Sequence, residues 1–387
     1  MWLGHFPRAW ATGRASRQEA PMTTDEPYRP PALNRVAVHS GWSRQARLVR
    51  RVPRRFTDVA FRAAGPLEQE NWNLERADWH ASLPFVRTTQ AESVLAEMNE
   101  LISSNRQPVD EAKPAILLNG FAGYGKSALI KECLYDLHRR HARKREGASA
   151  RGSRPIDVVH ISARAATSER SIAERLRDFL ELPRSGRSAG EITARVIDAL
   201  FECGVKVVAI DELHFVGQSA AVGRRLSNYI KDLINSSPST FVFAGNNVLD
   251  SEIFTSDRGR PDAAGEQFLS LTSIRDIEPF SIAQRDDVWM RTLIAIEESL
   301  RLTKLQQGDL FWNCADIMWG MTGGRWRSLT RVVNLACARA IATGTERITP
   351  ELIASIPVDA LAMEHAAKYM PALGDGTWTS LPRDVDL

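Results

Sequence analysis

Eight consecutive residues, Gly120-Phe121-Ala122-Gly123-Tyr124-Gly125-Lys126-Ser127, restrict what this chain can fold into more than any other feature. They fit G-x-x-x-x-G-K-[ST], a spacing in which glycines let successive backbone N–H groups turn toward a phosphate while the next helix offers its positive end. With glycine at roughly 7% of residues, a chance match in a chain of this length is on the order of one percent. The flanks cut it further: the apolar run Ala115 to Leu118 reads as a strand before the loop, and Leu129, Ile130, Cys133, Leu134 and Leu137 mark the buried face of a helix after it. Lys126 is expected to meet the β and γ phosphates of ATP. Ser127 is expected to give its hydroxyl to Mg²⁺, a hard ion that takes oxygen ligands.

Strands and helices alternate around that loop. Val158-Val159-His160-Ile161 reads as a second strand, Val205 to Ile210 as a third and Thr240 to Ala244 as a fourth, with helices between them, for example around Ile172, Leu176, Phe179 and Leu180. Such alternation predicts an α/β unit with a parallel sheet sandwiched by helices. Between Thr88 and Ser104, Ala91, Val94, Leu95, Met98, Leu101 and Ile102 recur at helical spacing ahead of it. After Pro279-Phe280 helical periodicity takes over at 288–302, 310–318 and 329–341, which predicts an all-helical lid. The expected division is an Arg-rich, partly disordered N-terminal extension over 1–80, a nucleotide-binding domain over 81–281, the lid over 282–365 and a flexible tail over 366–387.

Two carboxylates close the third strand in Val207-Val208-Ala209-Ile210-Asp211-Glu212. They fall at the sheet edge where α/β folds bind ligands, Asp211 to hold the Mg²⁺ shell and Glu212 to polarise an attacking water. The fourth strand, Phe241 to Gly245, ends in Asn246 and Asn247; either amide could hydrogen-bond a γ phosphate and a water without adding charge, and asparagines shaping a turn are the competing reading. Gly324-Arg325-Trp326-Arg327-Ser328-Leu329 precedes a lid helix. An arginine there, Arg327 first and Arg325 second, could reach back to the γ phosphate and couple lid angle to nucleotide state.

A net charge of only +3, from 50 basic and 47 acidic residues, does not by itself announce a nucleic-acid binder, so placement matters more than the sum. Arg35, Arg44, Arg47, Arg50, Arg51, Arg54, Arg55 and Arg62 face one acid, Asp58, with Trp42 and Phe56 among them. A solvated basic arm and a contact with DNA phosphates or an acidic partner weigh about equally. Cys133, Cys203, Cys314 and Cys337 form no CxxC pair or zinc spacing and read as reduced core thiols. No apolar run approaches the ~18 residues of a bilayer span, and the first residues lack a signal-peptide core. A cytoplasmic location without membrane contact is expected, with translation starting at Met1 or Met22.

These elements in this order resemble the AAA+ superfamily, and Gly324 to Leu329 looks like its GNPRxL-type second sensor. Ser82-Leu83-Pro84-Phe85-Val86-Arg87-Thr88, Ile210-Asp211-Glu212-Leu213-His214-Phe215, and Thr322-Gly323-Gly324 before a helix with Ala336, Ala338 and Ala340 resemble the TniB/TnsC-type transposition ATPases over roughly residues 80–355. The loop ends in Ser127 where that family usually has Thr, and the fourth strand ends Gly-Asn-Asn where it has Gly-Thr. The Arg-rich segment from 35 to 62 has no counterpart there. The resemblance implies an ATP-hydrolysing regulator that forms a homo-oligomer on double-stranded DNA and activates a partner transposase. It also implies an arginine supplied by the neighbouring subunit, with Arg258, Arg260 and Arg275 in the appropriate region, and DNA contacts at Arg164 or along Arg44 to Arg55. The competing readings are a stand-alone P-loop switch in defence or signalling acting on another protein, and a scaffold that binds ATP and barely hydrolyses it.

Overall fold

The computed structural model describes residues 27–30, 33–106, 113–146, 155–164, 168–213, 220–246, 248, 269–282 and 288–376. Five strands, β1 (Ala115–Asn119), β2 (Val158–Ser162), β3 (Val207–Asp211), β4 (Thr240–Gly245) and β5 (Thr272–Asp276), form one parallel sheet in the order β2-β3-β4-β1-β5. The first strand lies between the fourth and fifth, and because every pairing is parallel all C-terminal strand ends open on one edge. Ile116, Leu117, Val208, Ile210, Val242 and Phe243 are wholly buried. Each such side chain contributes about 1.5–3 kcal/mol, and a parallel sheet needs this because its crossover helices cover both faces. The fifth strand, Thr-Ser-Ile-Arg-Asp, escaped the sequence reading because it is a polar edge strand with one central aliphatic residue.

Helices α4 (Thr89–Ser104), α5 (Lys126–Glu146), α6 (Glu169–Phe179), α7 (Ala189–Glu202) and α8 (Ala220–Asn235) complete this unit. Local chemistry sets their starts: Thr88 accepts from the Ala91 N–H, Ser188 from that of Glu191, and Ser168 with Ser171 forms a reciprocal capping box. The lid comprises α9 (Val288–Ser299), α10 (Ala315–Thr322), α11 (Trp326–Thr343), α12 (Pro350–Ala354) and α13 (Ala360–Gly374). It has its own core, in which Trp289, Leu293, Met318, Leu329, Val333 and Cys337 are buried. Helix α13 runs across residue 365, where the sequence suggested the lid would give way to a tail; Tyr369 is buried on its inner side.

Residues 39–81 are the largest departure from the sequence reading. They form α1 (His39–Arg47), α2 (Asp58–Ala63) and α3 (Pro66–Ala81), with Trp42, Trp72 and Trp79 buried. The Arg76 guanidinium makes a two-pronged pair with Glu346 of the lid, both contacts at 2.6 Å, and lies over the Trp72 ring at 4.0 Å. Removing one member of so buried a pair typically costs about 3–5 kcal/mol, against ~0–1 kcal/mol for an exposed pair. Several arginines of the basic stretch are thus parts of the fold. Arg50 donates to the carbonyls of Asp78, Trp79 and Ser82 at the end of α3, Arg51 pairs with Glu75 at 3.4 Å, and Arg55 donates to the Glu298 carbonyl.

Candidate nucleotide-binding site

The phosphate loop joins β1 to α5, and Gly120, Gly123 and Gly125 all have positive φ, at 144°, 88° and 102°. At Gly120 a Cβ would come within 2.4 Å of the Ile277 carbonyl oxygen, so the turn off the strand excludes any other residue. The Lys126 ammonium donates to the carbonyls of Gly120 and Phe121, both at 2.7 Å, and to Asn246 Oδ1 at 2.9 Å. Its three donors are therefore matched to three acceptors beside the loop. Burial lowers its pKa to about 8, with the nearby Asp211 charge opposing the shift.

Asp211 and Glu212 lie across the strand ends from this lysine. Asp211 is buried and its Oδ1 accepts from the Glu212 N–H at 2.8 Å. Glu212 itself adopts φ 60°, a conformation that non-glycine residues rarely hold and that costs on the order of 1–3 kcal/mol. Such strain turns its carboxylate toward β2, where the Ser162 hydroxyl donates to Oε2 at 2.5 Å. Ser162 pairs in register with Asp211 and was missed by motif reading; a hydroxyl ending the strand beside the acidic pair is the signal that would have found it.

The amides follow the same edge. Asn246 stands within hydrogen-bond reach of Lys126; Asn247 lies outside the described residues, as do Arg258, Arg260, His214 and Phe215. Asn119 at the end of β1 joins β5 through Asp276 at 2.7 Å and accepts from the Val248 N–H at 3.0 Å. Arg275 sits on the edge strand paired with Glu97 of α4.

The lid closes the other side. The Arg327 N–H donates to the Gly123 carbonyl at 3.0 Å, the Trp326 side chain approaches to 3.7 Å of a Cβ built on Gly125, and the Arg325 guanidinium lies 5.6 Å from the centre of the Tyr124 ring. The Arg327 side chain is exposed beside the loop. A groove lined by Phe85, Val86, Tyr124, Ile277 and Trp326 runs from the phosphate loop between the lid and the segment before α4. Three aromatic rings and two aliphatic chains make it apolar, and at about 40 Å³ it would have to widen to take a flat heteroaromatic base. Glycines of positive φ, a helix N-terminus, a lysine and a hydroxyl at Ser127, with a buried Asp211, fit Mg·ATP.

Gly324 fixes where α11 begins. It has φ 65°, it accepts from the Phe280 N–H at 2.9 Å, and a Cβ there would lie 2.1 Å from the Phe280 carbonyl oxygen. Gly324→Ala is expected to destabilise the protein by about 2–4 kcal/mol through left-handed strain plus overpacking. Thermal unfolding followed by tryptophan fluorescence checks this, and an unchanged midpoint would contradict the tight crossing.

Among the described residues no helix is long and apolar enough to cross a membrane, and no group of three or more His, Cys, Asp or Glu could hold a metal ion. The family model described as Bacterial TniB protein matches residues 76–258. No curated protein matches the sequence. Among solved structures, the fold is similar to Cdc6p from Pyrobaculum aerophilum, at 18% identity and a TM-score of 0.52, covering 71% of this chain and 69% of that one. It is also similar to the Aeropyrum pernix ORC1 protein, solved in complex with DNA, at 18% identity and a TM-score of 0.50 over 72% and 67% of the two chains. The Aeropyrum pernix ORC2 protein, solved with ADPNP and ADP, matches at 14% and 0.50 over 74% and 69%. The fold is that of an AAA+ P-loop protein.

Proposed function

With residues 76–258 matched by the TniB family and the sheet and lid forming an AAA+ unit, we propose that this protein binds and hydrolyses ATP and acts as a DNA-transposition helper. In this reading it assembles on duplex DNA as an oligomer and activates a partner transposase. The observation that carries the nucleotide part is the meeting, at one sheet edge, of Lys126 with Asn246, of Asp211 with Glu212, and of the lid helix N-terminus with Gly123. ATP bound there has the phosphate loop on its β and γ phosphates, and Mg²⁺ would be held by Ser127 and Asp211 and would neutralise developing charge. Glu212 accepts the proton of the attacking water. Asn246 positions that water or the γ phosphate, and Arg327, with Arg325 behind it on Tyr124, reports the phosphate to the lid.

Ser162 holds the Glu212 carboxylate away from free rotation, and a hydrogen bond to a charged group is worth about 1.5–3 kcal/mol. Ser162→Ala is therefore expected to raise basal turnover about ten- to a hundredfold, measured as single-turnover phosphate release. A drop in rate would mean that the serine orients the base productively instead.

The DNA part rests on the family match and on the exposed arginines that the fold leaves over, Arg44 on α1 and Arg54 beside Phe56. Imaging the purified protein with a slowly hydrolysed ATP analogue, with and without duplex DNA, tests it: rings or filaments that need both support the reading, and a monomer under all conditions refutes it. Binding is expected to require ATP and to weaken with salt, with a slope in log K of roughly −0.9 per phosphate contact. Replacing Arg44 and Arg54 with alanine should lower the slope magnitude by about 1.8 if each meets one phosphate. An unchanged slope removes this stretch from the DNA interface and favours a switch that acts on a protein partner.

A further inference from the structure

Residues 33–81 bridge the two bodies that enclose the groove. Helix α1 sits on the α/β unit: the Trp42 ring lies 5.3 Å from the Tyr135 and His138 rings and 6.2 Å from Phe179, Ser43 shares a hydrogen bond of 2.9 Å with His138, and Ser40 donates to Glu181. Helix α3 sits on the lid. Besides the Arg76–Glu346 pair, the Trp79 indole N–H donates to the Ser299 carbonyl at 2.7 Å, and the His80 ring accepts from the Arg301 N–H at 2.9 Å. The approach to α2 is fastened there too, since the Arg301 guanidinium donates to the Pro53 carbonyl at 2.8 Å and Arg55 donates to the Glu298 carbonyl.

The chain thus leaves the α/β unit after α1, crosses to the lid at residues 48–49, stays with it through α3, and returns to the α/β unit along Phe85 and Val86 in the groove wall. We propose that residues 33–81 are a strap on the nucleotide site: α1 is part of the α/β unit, residues 50–55, α2 and α3 are part of the lid, and residues 48–49 are the span that bends when the lid moves. This rests on ATP binding in the groove. Rigidity follows from the contacts. The lid side is fixed by a buried two-pronged ion pair, an indole N–H and several backbone acceptors, whose loss leaves unpaired buried groups, while Val49 in the span is exposed. A lid rotation that broke α3 from the lid is therefore disfavoured against one that bends the span. The consequence is that nucleotide state reaches the arginine-bearing stretch 50–55 mechanically, and that the lid cannot swing farther than the span allows.

Three pairs of spin labels on the full-length chain test this, in a background where the half-buried Cys203 is serine. Leu74→Cys with Ala342→Cys reports α3 against the lid, Arg44→Cys with Lys131→Cys reports α1 against the α/β unit, and Leu74→Cys with Lys131→Cys reports across the groove. Distances are measured without nucleotide, with Mg·ADP and with a Mg·ATP analogue, and nucleotide binding is titrated on the same samples. The expected result is a shift in the third distance, larger than its width without nucleotide, while the first two stay fixed. A shift in the first or second, or no shift in any while nucleotide binds, overturns the strap. Absence of nucleotide binding, checked against Lys126→Ala, would instead overturn the reading of the groove.

Discussion

Lys126→Ala is expected to lower ATP affinity by about 10²- to 10⁴-fold, because it deletes two hydrogen bonds from a charged group, each worth roughly 1.5–3 kcal/mol. The fold should survive, since the ammonium's present acceptors are the Gly120 and Phe121 carbonyls and the Asn246 amide at the open edge of the sheet. Equilibrium binding of a fluorescent ATP analogue, with a thermal melt alongside, separates the two outcomes. Retained affinity with an intact fold would remove the phosphate loop from nucleotide binding. A pH dependence accompanies this prediction. Burial holds the free lysine at about 8, and phosphates beside it favour the charged form, so binding above about pH 8 must take up a proton. Wild-type affinity should therefore fall as pH rises from about 8 toward the ordinary lysine range near 10.4, and Lys126→Ala should lack that fall.

Glu212→Gln is expected to leave binding nearly intact and to reduce hydrolysis by about 10² to 10⁴, the usual worth of general-base assistance. The amide keeps the length of the side chain and can still pair with the Ser162 hydroxyl, so the strained backbone at φ 60° has no new reason to relax. Lys126, Ser127 and Asp211 remain for Mg·ATP, and the ATP state becomes long-lived. If ATP favours the assembled form, assemblies should outlast ATP depletion by far more than in the parent protein. Phosphate release paired with light scattering after depletion is the measurement. Normal turnover would exclude Glu212 as the base; lost turnover without prolonged assembly would leave the ATPase reading standing and refute the oligomeric switch.

What the sequence made legible was whatever repeats a local rule. The phosphate loop is a contiguous backbone device, and the three inner strands β1, β3 and β4 are apolar runs because a sheet covered on both faces demands it. Ser162, by contrast, matters only because register places it beside Asp211, and no contiguous motif encodes register between strands 50 residues apart. The helix α7 was within reach, since Ile192, Val196, Ala199 and Leu200 fall on one face. The Arg-rich stretch misled for a physical reason: guanidinium groups that cap carbonyls and stack on Phe56 and Trp79 have the same composition as a solvated arm.

The clamp between Arg76 and Glu346 also sets a schedule for the nascent protein. Its partners are 270 residues apart in the chain, and a ribosome adding about 5–20 residues per second leaves α3 without its counterpart for on the order of tens of seconds. The sheet has the same delay, since β1 cannot be flanked on both sides until β5 has emerged. Trp42 has its seat on α5 early and Trp72 has its partners in Phe56 and Phe61, but Trp79, which donates to the Ser299 carbonyl, lacks that partner until the lid is made. Strict folding from the N-terminus onward is thus closed to this chain: α3 is among the last helices to settle, and the interval leaves the Trp79 indole available to chaperones during synthesis.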